Sequence, residues 1–319
     1  MQQLQNLPPA LFLMGPTASG KTDLAVEIVE SLPLEIISVD SAQVYRGMDI
    51  GSAKPEPEIL ARAPHRLIDI RDPEEAYSAA EFREDALAAM REITSAGRIP
   101  LLVGGTMLYF RILQTGLSEL PQADPGLRTR LEMELQRLGL DALHRRLQVL
   151  DQRAAARIHP HDPQRILRAL EVIELTGRPL TEMQEAHPGQ ALPYRVLKLV
   201  LAPQDRSVLH QRIARRFRKM LLQGFEDEVR LLLQERNLTP NLPSMRSVGY
   251  RQMLGYLLGE IEWGEMVERG IIATRQLAKR QYTWLRSEQD AHWLNETEGN
   301  LLRQVRQLLD RWIPEIGAG

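Results

Sequence analysis

The chain has 319 residues, 43% hydrophobic and 26% charged, a globular composition with room for one large core or about two domains. The absence of cysteine excludes structural disulfides and thiolate metal sites, and no apolar run approaches the roughly 20 residues of a membrane helix. A net charge of -2 argues against a uniformly basic nucleic-acid binder, yet "HQRIARRFRKM" (210–220) and "TRQLAKRQYTWLRSE" (274–288) are basic, and "RDPEEAYSAAEFREDA" (71–86) is acidic. A local basic patch binds phosphates even when the whole chain is near neutral.

The opening "MQQLQNLPPALFLMG" lacks the basic start of a secretory leader, so a cytoplasmic location is expected. Its apolar residues 10–14 read as a buried first strand, followed by a Gly-rich turn and a helix over about 21–30. "EIISVD" (35–40) reads as a second strand ending in Asp40 and "RLIDI" (66–70) as a third. A helix follows over about 79–96, with Gly97 as its stop, and "IPLLVGG" (99–105) is a fourth strand. That strand is apolar on both faces, which places it centrally in a parallel α/β sheet.

From about residue 116 to 193 only helical patterns remain. Asp124-Pro125 and Asp162-Pro163 are paired start signals, an N-cap followed by proline in the first turn. Leu127, Leu131, Leu135 and Leu138 recur at helical spacing before Gly139; Ile166, Leu170 and Ile173 do so before Gly177 and Pro179. "YRVLKLVLAP" (194–203) returns to a strand, and helices dominate thereafter. The expected organisation is a core built from 1–115 and 194–319 around an all-helical insertion, 116–193. His159 and His161 in "RIHPHDPQ" lack a third ligand at recognisable spacing and read as a loop pair without metal.

The segment Gly15, Pro16, Thr17, Ala18, Ser19, Gly20, Lys21 and Thr22 fits G-x-x-x-x-G-K-[ST], with a strand before it and a helix after. Such a loop cradles a di- or triphosphate with backbone N–H groups, adds the Lys21 charge, and offers the Thr22 hydroxyl to Mg²⁺. It does not specify what the phosphates are attached to. Nucleotide-hydrolysing enzymes add an acid on a second strand, but "IPLLVGGT" ends in Gly104-Gly105-Thr106. Asp69 is a weaker candidate because it sits within its strand.

Asp40 closes a strand at the carboxyl edge, where open α/β sheets bind ligands. The residues leave three uses open: a magnesium ligand, a partner for an acceptor hydroxyl, or a general base. The plain alternative is a strand-end carboxylate capping the next turn. Two enzyme readings compete, a small-molecule or nucleotide kinase and a transferase whose leaving group is pyrophosphate; a noncatalytic RNA-binding P-loop protein is a third.

"GPTASGKTDLA", "IISVDSAQVYRGMDIGSAKP", "VGGTMLYFRIL", "HPHDPQRILRALEV", "RFRKMLLQGFEDEV", "MRSVGYRQMLGYLLG" and "ATRQLAKRQYTWLR" run in order from Gly15 to Arg286. Together they resemble the successive motifs of the tRNA dimethylallyltransferase family. Ser52 stands where that family has threonine, keeping the hydroxyl, and the zinc-finger extension of eukaryotic relatives is missing. The resemblance implies a P-loop NTPase-like α/β fold whose helical insertion clamps a tRNA anticodon stem-loop. It implies transfer of a dimethylallyl group from dimethylallyl diphosphate to N6 of the adenine 3′ of the anticodon, position 37, in tRNAs reading codons that begin with U. Mg²⁺, both substrates and a monomeric protein are further expectations.

By the same resemblance Asp40 is the general base, Thr17 lies near the bridging oxygen, and Arg216 grips the diphosphate, with Arg215 as its neighbour. Residues 15–22 form the diphosphate cradle, with Thr22 as the metal ligand. Expected RNA contacts in the core are Asp40, Ser41, Ala42, Gln43 and Thr106. In the insertion they are Arg128, Gln164, Arg165, Ile166, Leu167 and Arg168. Toward the C-terminus they are Arg246, Ser247, Val248, Gly249, Tyr250 and Arg251, then Lys279, Arg280, Gln281, Tyr282, Thr283, Trp284, Leu285 and Arg286. Met107, Leu108 and Tyr109 are open to two readings, a lining for the prenyl chain or core packing.

Overall fold

The structure, a computed structural model, describes residues 7–118, 120–122, 124–186, 189–297 and 299–313. The start of the segment read against a leader, residues 1–6, lies outside them. Among the described residues no helix is long and apolar enough to cross a membrane. The chain divides into two compact units, Met1–Leu113 with Pro193–Gly319, and Gln114–Leu192.

In the larger unit the chain runs β1 (Pro9–Met14), α1 (Lys21–Ser31), β2 (Leu34–Val39), α2 (Pro57–Arg62), β3 (His65–Arg66), α3 (Ala79–Ser95), β4 (Ile99–Gly104) and α4 (Met107–Thr115). The sheet is parallel throughout and ordered β3-β2-β4-β1, with two later strands added beyond β1. Residues 10–14 of β1 are fully buried because both faces are covered. Alternation divides them: Leu11 and Leu13 join Leu24, Ile28 and Leu101 on one face, while Phe12 meets Phe110 with ring centroids 5.0 Å apart. At the start of α3 a capping box pairs the Ser78 side chain with the Glu81 N–H and the Glu81 carboxylate with the Ser78 N–H.

The expected third strand is corrected. Only His65 and Arg66 pair with β2; Leu67 and Asp69 then adopt positive φ of 64° and 55°. The chain turns there to give main-chain hydrogen bonds to the loop after β2, from Asp69 N to Gln43 O (3.2 Å) and Ile70 N to Val44 O (2.9 Å). Asp69 is therefore not embedded in a strand, and its carboxylate pairs with Lys54.

The smaller unit contains α5 (Pro125–Leu138), α6 (Leu140–Leu150), α7 (Gln152–Arg157), α8 (Pro163–Thr176) and α9 (Leu180–Ala186). Asp124 and Asp162 cap α5 and α8 by accepting from Leu127 N and Arg165 N, and Gly177 closes α8 in the left-handed region. Leu127, Leu131, Leu143, Leu147, Ile166 and Leu170 form its core. The inner stripe of α5 is shorter than expected: Leu135 is half-buried and Leu138 is 50% exposed.

The larger unit resumes with β5 (Arg195–Leu201), α10 (Arg206–Leu222), α11 (Phe225–Glu235), α12 (Tyr250–Leu257), α13 (Trp263–Leu285), β6 (Ala291–Leu294) and α14 (Leu301–Trp312). β5 pairs with β1 and β6 with β5, completing the order β3-β2-β4-β1-β5-β6. Helices dominate after residue 203 as expected, and β6 is one short strand the sequence reading did not mark. It is a four-residue edge strand with His292 and Trp293 exposed, too short to show a period-2 pattern.

Because every strand is parallel, β1, β2, β4 and β5 all end on one edge of the sheet. Gly104 lets β4 approach β2 there: a Cβ at 104 would stand inside van der Waals range of the Val39 carbonyl. Gly104→Ala is therefore expected to destabilise the protein by about 1–3 kcal/mol, the usual range for overpacking, read as a lower urea midpoint at unchanged m-value.

Candidate active site

Residues 15–20 leave β1 at the carboxyl edge and deliver the chain into α1. Gly15 N donates to Gly104 O (3.3 Å), carrying the β1–β4 pairing one step beyond the strands. A side chain at Gly15 would strike the Leu201 carbonyl, so β5 also abuts this turn. Ala18 and Gly20 have φ of 63° and 89°, alternating with ordinary conformations so that successive amides line one concavity. The buried Ser19 hydroxyl has no hydrogen-bond partner among the described residues. No side chain caps the start of α1, which leaves its first N–H groups to a ligand.

Lys21 Nζ folds back to donate to Pro16 O (3.1 Å). Burial pushes its pKa down to about 8; the Arg216 charge pushes the same way, and Asp40 opposes both. Arg216, from α10, is itself lowered by burial and held up by Asp40. Two desolvated cations and one carboxylate are thus brought together, an arrangement that favours a multiply charged anion. Arg216 is distinguished from Arg215 by this burial, since Arg215 is exposed.

Asp40 stands immediately after β2. Ala42 N (2.8 Å) and Gln43 N (3.3 Å) both donate to its Oδ1, so the turn leaves Oδ2 unused. The capping and chemical readings therefore coexist in one side chain. Gln43 is a brace: it accepts from Ser38 Oγ (3.1 Å) and donates to Ala53 O (3.2 Å). Ser41 is exposed and Ala42 half-buried. Thr106 is fixed near the end of β2 by a 3.3 Å bond from its N–H to Val39 O.

The open question about residues 107–109 resolves mostly toward core packing. Met107 and Tyr109 are buried, Tyr109 stacks on Phe82 at 4.2 Å, and Leu108 alone is turned out, 49% exposed. Burial raises the Tyr109 pKa, with smaller contributions from Tyr45 and Asp40.

The expected RNA contacts toward the C-terminus separate into two sets. On α13, Lys279, Arg280 and Thr283 are exposed, as is Arg286 just after it, and Trp284 is half-buried. Gln281, Tyr282 and Leu285 point inward: Gln281 bonds to Thr17 N and Gly105 O, Tyr282 donates to Pro203 O (2.7 Å), and Leu285 is core. A one-helix run exposes only about half of its residues, which linear motif matching ignores. Arg246 and Arg251 are exposed and Ser247 and Val248 half-buried. Gly249 and Tyr250 are buried; the Tyr250 hydroxyl donates to Glu228 Oε1 (2.6 Å).

Glu228 was not singled out from sequence. Its carboxylate accepts from the N–H groups of Asp49 (2.9 Å), Ile50 (2.6 Å) and Gly51 (3.1 Å), holding the loop that carries Lys54. Lys54 in turn donates to Tyr45 O (3.0 Å) and pairs with Asp49 and Asp69. Their placement depends on contacts across 179 positions of sequence, so no local pattern marks them.

Within the smaller unit, Arg128, Gln164 and Arg165 are exposed, and Leu167 is half-buried. Ile166 is core. The Arg168 guanidinium donates to Glu171 Oε2 (2.6 Å) and Pro121 O (2.7 Å). Glu171, whose side chain is 2% exposed, also accepts from Asp124 N (3.1 Å) and pairs with Arg128 (3.5 Å). This satisfied buried carboxylate braces the helix starts. His159 and His161 are exposed with ring centroids 5.5 Å apart, and no group of three metal-ligating side chains occurs among the described residues.

A phosphate-cradling loop after β1, a carboxylate at the end of β2 on the far side of β4, and a half-buried arginine define a P-loop-type α/β transferase site. The model of the IPP transferase family matches residues 43–288, and the chain belongs to that family. It is 35% identical to the full-length tRNA isopentenylpyrophosphate transferase of Bacillus halodurans, covering 98% of this chain and 97% of that one, with a TM-score of 0.70. It is 32% identical to the tRNA delta(2)-isopentenylpyrophosphate transferase of Staphylococcus epidermidis, covering 96% and 99%, with a TM-score of 0.68. A eukaryotic dimethylallyltransferase acting on tRNA shares the fold at 24% identity, covering 97% and 80%, with a TM-score of 0.81.

The Lys21 pKa has a measurable consequence. An anion in the cradle stabilises the charged ammonium, so binding above pH 8 takes up a proton and weakens as pH rises through about 8. Calorimetry of pyrophosphate binding in buffers of differing ionisation enthalpy near pH 8.5 is expected to show more proton uptake for wild type than for Lys21→Met, the difference being the lysine's share once the ligand's own ionisation is common to both.

Proposed function

We propose that the protein transfers the dimethylallyl group of dimethylallyl diphosphate to N6 of the adenine 3′ of the anticodon, position 37, in tRNAs reading codons that begin with U. The observation that carries this reading is the gathering of Lys21, Arg216 and Asp40 at a phosphate loop whose central neighbour, β4, ends without an acid. The two relatives above 30% identity are transferases of a prenyl diphosphate to tRNA by name, which supports the same reaction here.

The target adenine lies in an RNA loop and must leave the stack to reach the site. Its exocyclic amine is a poor nucleophile because the lone pair is delocalised into the ring. Asp40, through the Oδ2 that its turn leaves unused, accepts the N6 proton as N6 bonds to the allylic carbon. The C–O bond to the diphosphate breaks in the same step, and its electrons depart with the leaving group. Lys21, Arg216 and the loop amides stabilise that developing charge, with Thr17 beside the bridging oxygen.

Mg²⁺ fits this site: the hard oxygen of Thr22, at the first turn of α1, suits it, and magnesium ordinarily takes its remaining ligands from phosphates and water. When bound it would neutralise diphosphate charge. Lys279, Arg280, Arg286, Arg246 and Arg251 on the larger unit, and Arg128, Gln164 and Arg165 on the helical unit, offer exposed groups to RNA phosphates and bases. We place the protein in the cytoplasm, as a monomer.

Purified protein is expected to move label from dimethylallyl diphosphate to a tRNA bearing adenine 3′ of its anticodon, in the presence of Mg²⁺. Phosphorylation from ATP without prenyl transfer would overturn the reading in favour of a kinase. Asp40→Ala is expected to lower kcat by about 10²–10⁴-fold, the usual worth of general-base catalysis, with tRNA affinity retained; undiminished turnover removes Asp40 from that role.

A further inference from the structure

We infer that Gln281, on α13, is a positioning residue of the diphosphate cradle: it locks the Pro16–Thr17 peptide and so sets how that loop receives its anion. The inference rests on the proposed diphosphate site and adds a residue to it.

Gln281 is 8% exposed and reaches the loop from 264 positions away in sequence. Its Oε1 accepts from Thr17 N (2.9 Å) and its Nε2 donates to Gly105 O (2.8 Å). Gly105 is shaped for this approach, because a Cβ there would collide with Gln281 Nε2 and crowd Gly15 O. One planar amide thus joins the phosphate loop to the exit of β4.

The peptide it holds has a second partner on its other side. The carbonyl of the same Pro16–Thr17 unit accepts from Lys21 Nζ (3.1 Å) and Ser19 N (3.3 Å). Gln281 and Lys21 therefore grip opposite ends of one peptide plane. Two consequences follow for anion binding. Thr17 N–H is occupied by a protein acceptor, so the amides left to the anion begin after it. The ammonium of Lys21 is also parked on a carbonyl whose direction Gln281 fixes, poised to transfer to an incoming phosphate oxygen.

Without the Gln281 amide, a donor and an acceptor at the buried end of β4 lose their partner, and the peptide is free to rotate in search of another. The loop then loses the preorganisation that makes its dipoles effective. The outward side chains of α13, Lys279 and Arg280, do not take part, so RNA contact and cradle geometry are separable on one helix.

The test uses the full chain, inorganic pyrophosphate as the probe, and two substitutions. Gln281→Leu removes both bonds and is expected to weaken pyrophosphate binding and raise the KM for dimethylallyl diphosphate by about tenfold, with tRNA affinity unchanged. Gln281→Glu keeps the acceptor for Thr17 N–H but, when ionised, cannot donate to Gly105 O and adds a negative charge beside the cradle. Burial raises the pKa of such a carboxyl, and its protonated form reproduces the donor and acceptor of the amide. Its pyrophosphate affinity, relative to wild type, is therefore expected to be poor at pH 8 and to recover toward pH 6.

Repulsion by the ionised carboxylate alone would give the same recovery, so the uncharged Gln281→Leu variant is what separates positioning from charge. Wild-type affinity in Gln281→Leu, or a deficit in Gln281→Glu that does not ease on acidification, would overturn the inference. Should Gln281→Leu fail to fold, Gln281→Met, uncharged and of similar length, takes its place in the same measurement. Wild-type protein that binds pyrophosphate yet transfers no prenyl group would refute the proposed function while leaving this binding test intact.

Discussion

The central pairing of β1 with β4 on one side and β5 on the other is the constraint from which the rest of the site derives. β1 and β4 are buried on both faces, and the three strands, being parallel, finish together at one edge. Backbone there must pass close to backbone. Gly15 lies against the Leu201 carbonyl, Gly104 against Val39, and Gly105 against Gln281. The phosphate loop is shaped less by its own flexibility than by this crowding, which leaves it a narrow route from β1 into α1. The positive φ values at Ala18 and Gly20 are what that route requires.

Electrostatics then act on a geometry already set. Placing Lys21 and Arg216 in one desolvated region costs free energy that a single carboxylate, Asp40, only partly offsets. An arriving diphosphate supplies the missing negative charge. The same field suits Asp40 to its proposed work, because it faces cations while Oδ2 is left unused by its turn. Around this centre, carboxylates elsewhere serve architecture: Glu228 gathers three backbone amides and a tyrosine, and Glu171 gathers two arginines and a helix start. Acids of this kind resemble active-site groups in composition and differ in being satisfied by the protein.

Much of this was legible in linear form where the physics is local. The apolar runs of β1, β2 and β4, the Asp-Pro helix starts at 124 and 162, and the phosphate loop each draw their conformation from neighbours a few residues away. The extent of β3 and the presence of β6 are not legible in the sequence, because a two-residue strand and a four-residue edge strand are decided by their partners. Asp69 looked like part of a strand until the loop after β2 recruited its backbone and Lys54 its carboxylate. The motif blocks at 246–251 and 279–286 marked important segments without telling outward residues from inward ones.

By itself, then, the sequence determined the parallel α/β class, the phosphate loop, Asp40 at a strand end, and the family to which the chain belongs. Each depends on short-range periodicity, backbone preference or motif order, all of which are written along the chain. Only the tertiary structure decided that Arg216 and not Arg215 stands with Lys21 and Asp40, that Met107 and Tyr109 are core, and that Gln281 serves the loop and not the solvent. Those outcomes hinge on which face of a helix is buried and on amides paired across hundreds of positions. Burial and long-range pairing are properties of the packed chain, and no segment carries them alone.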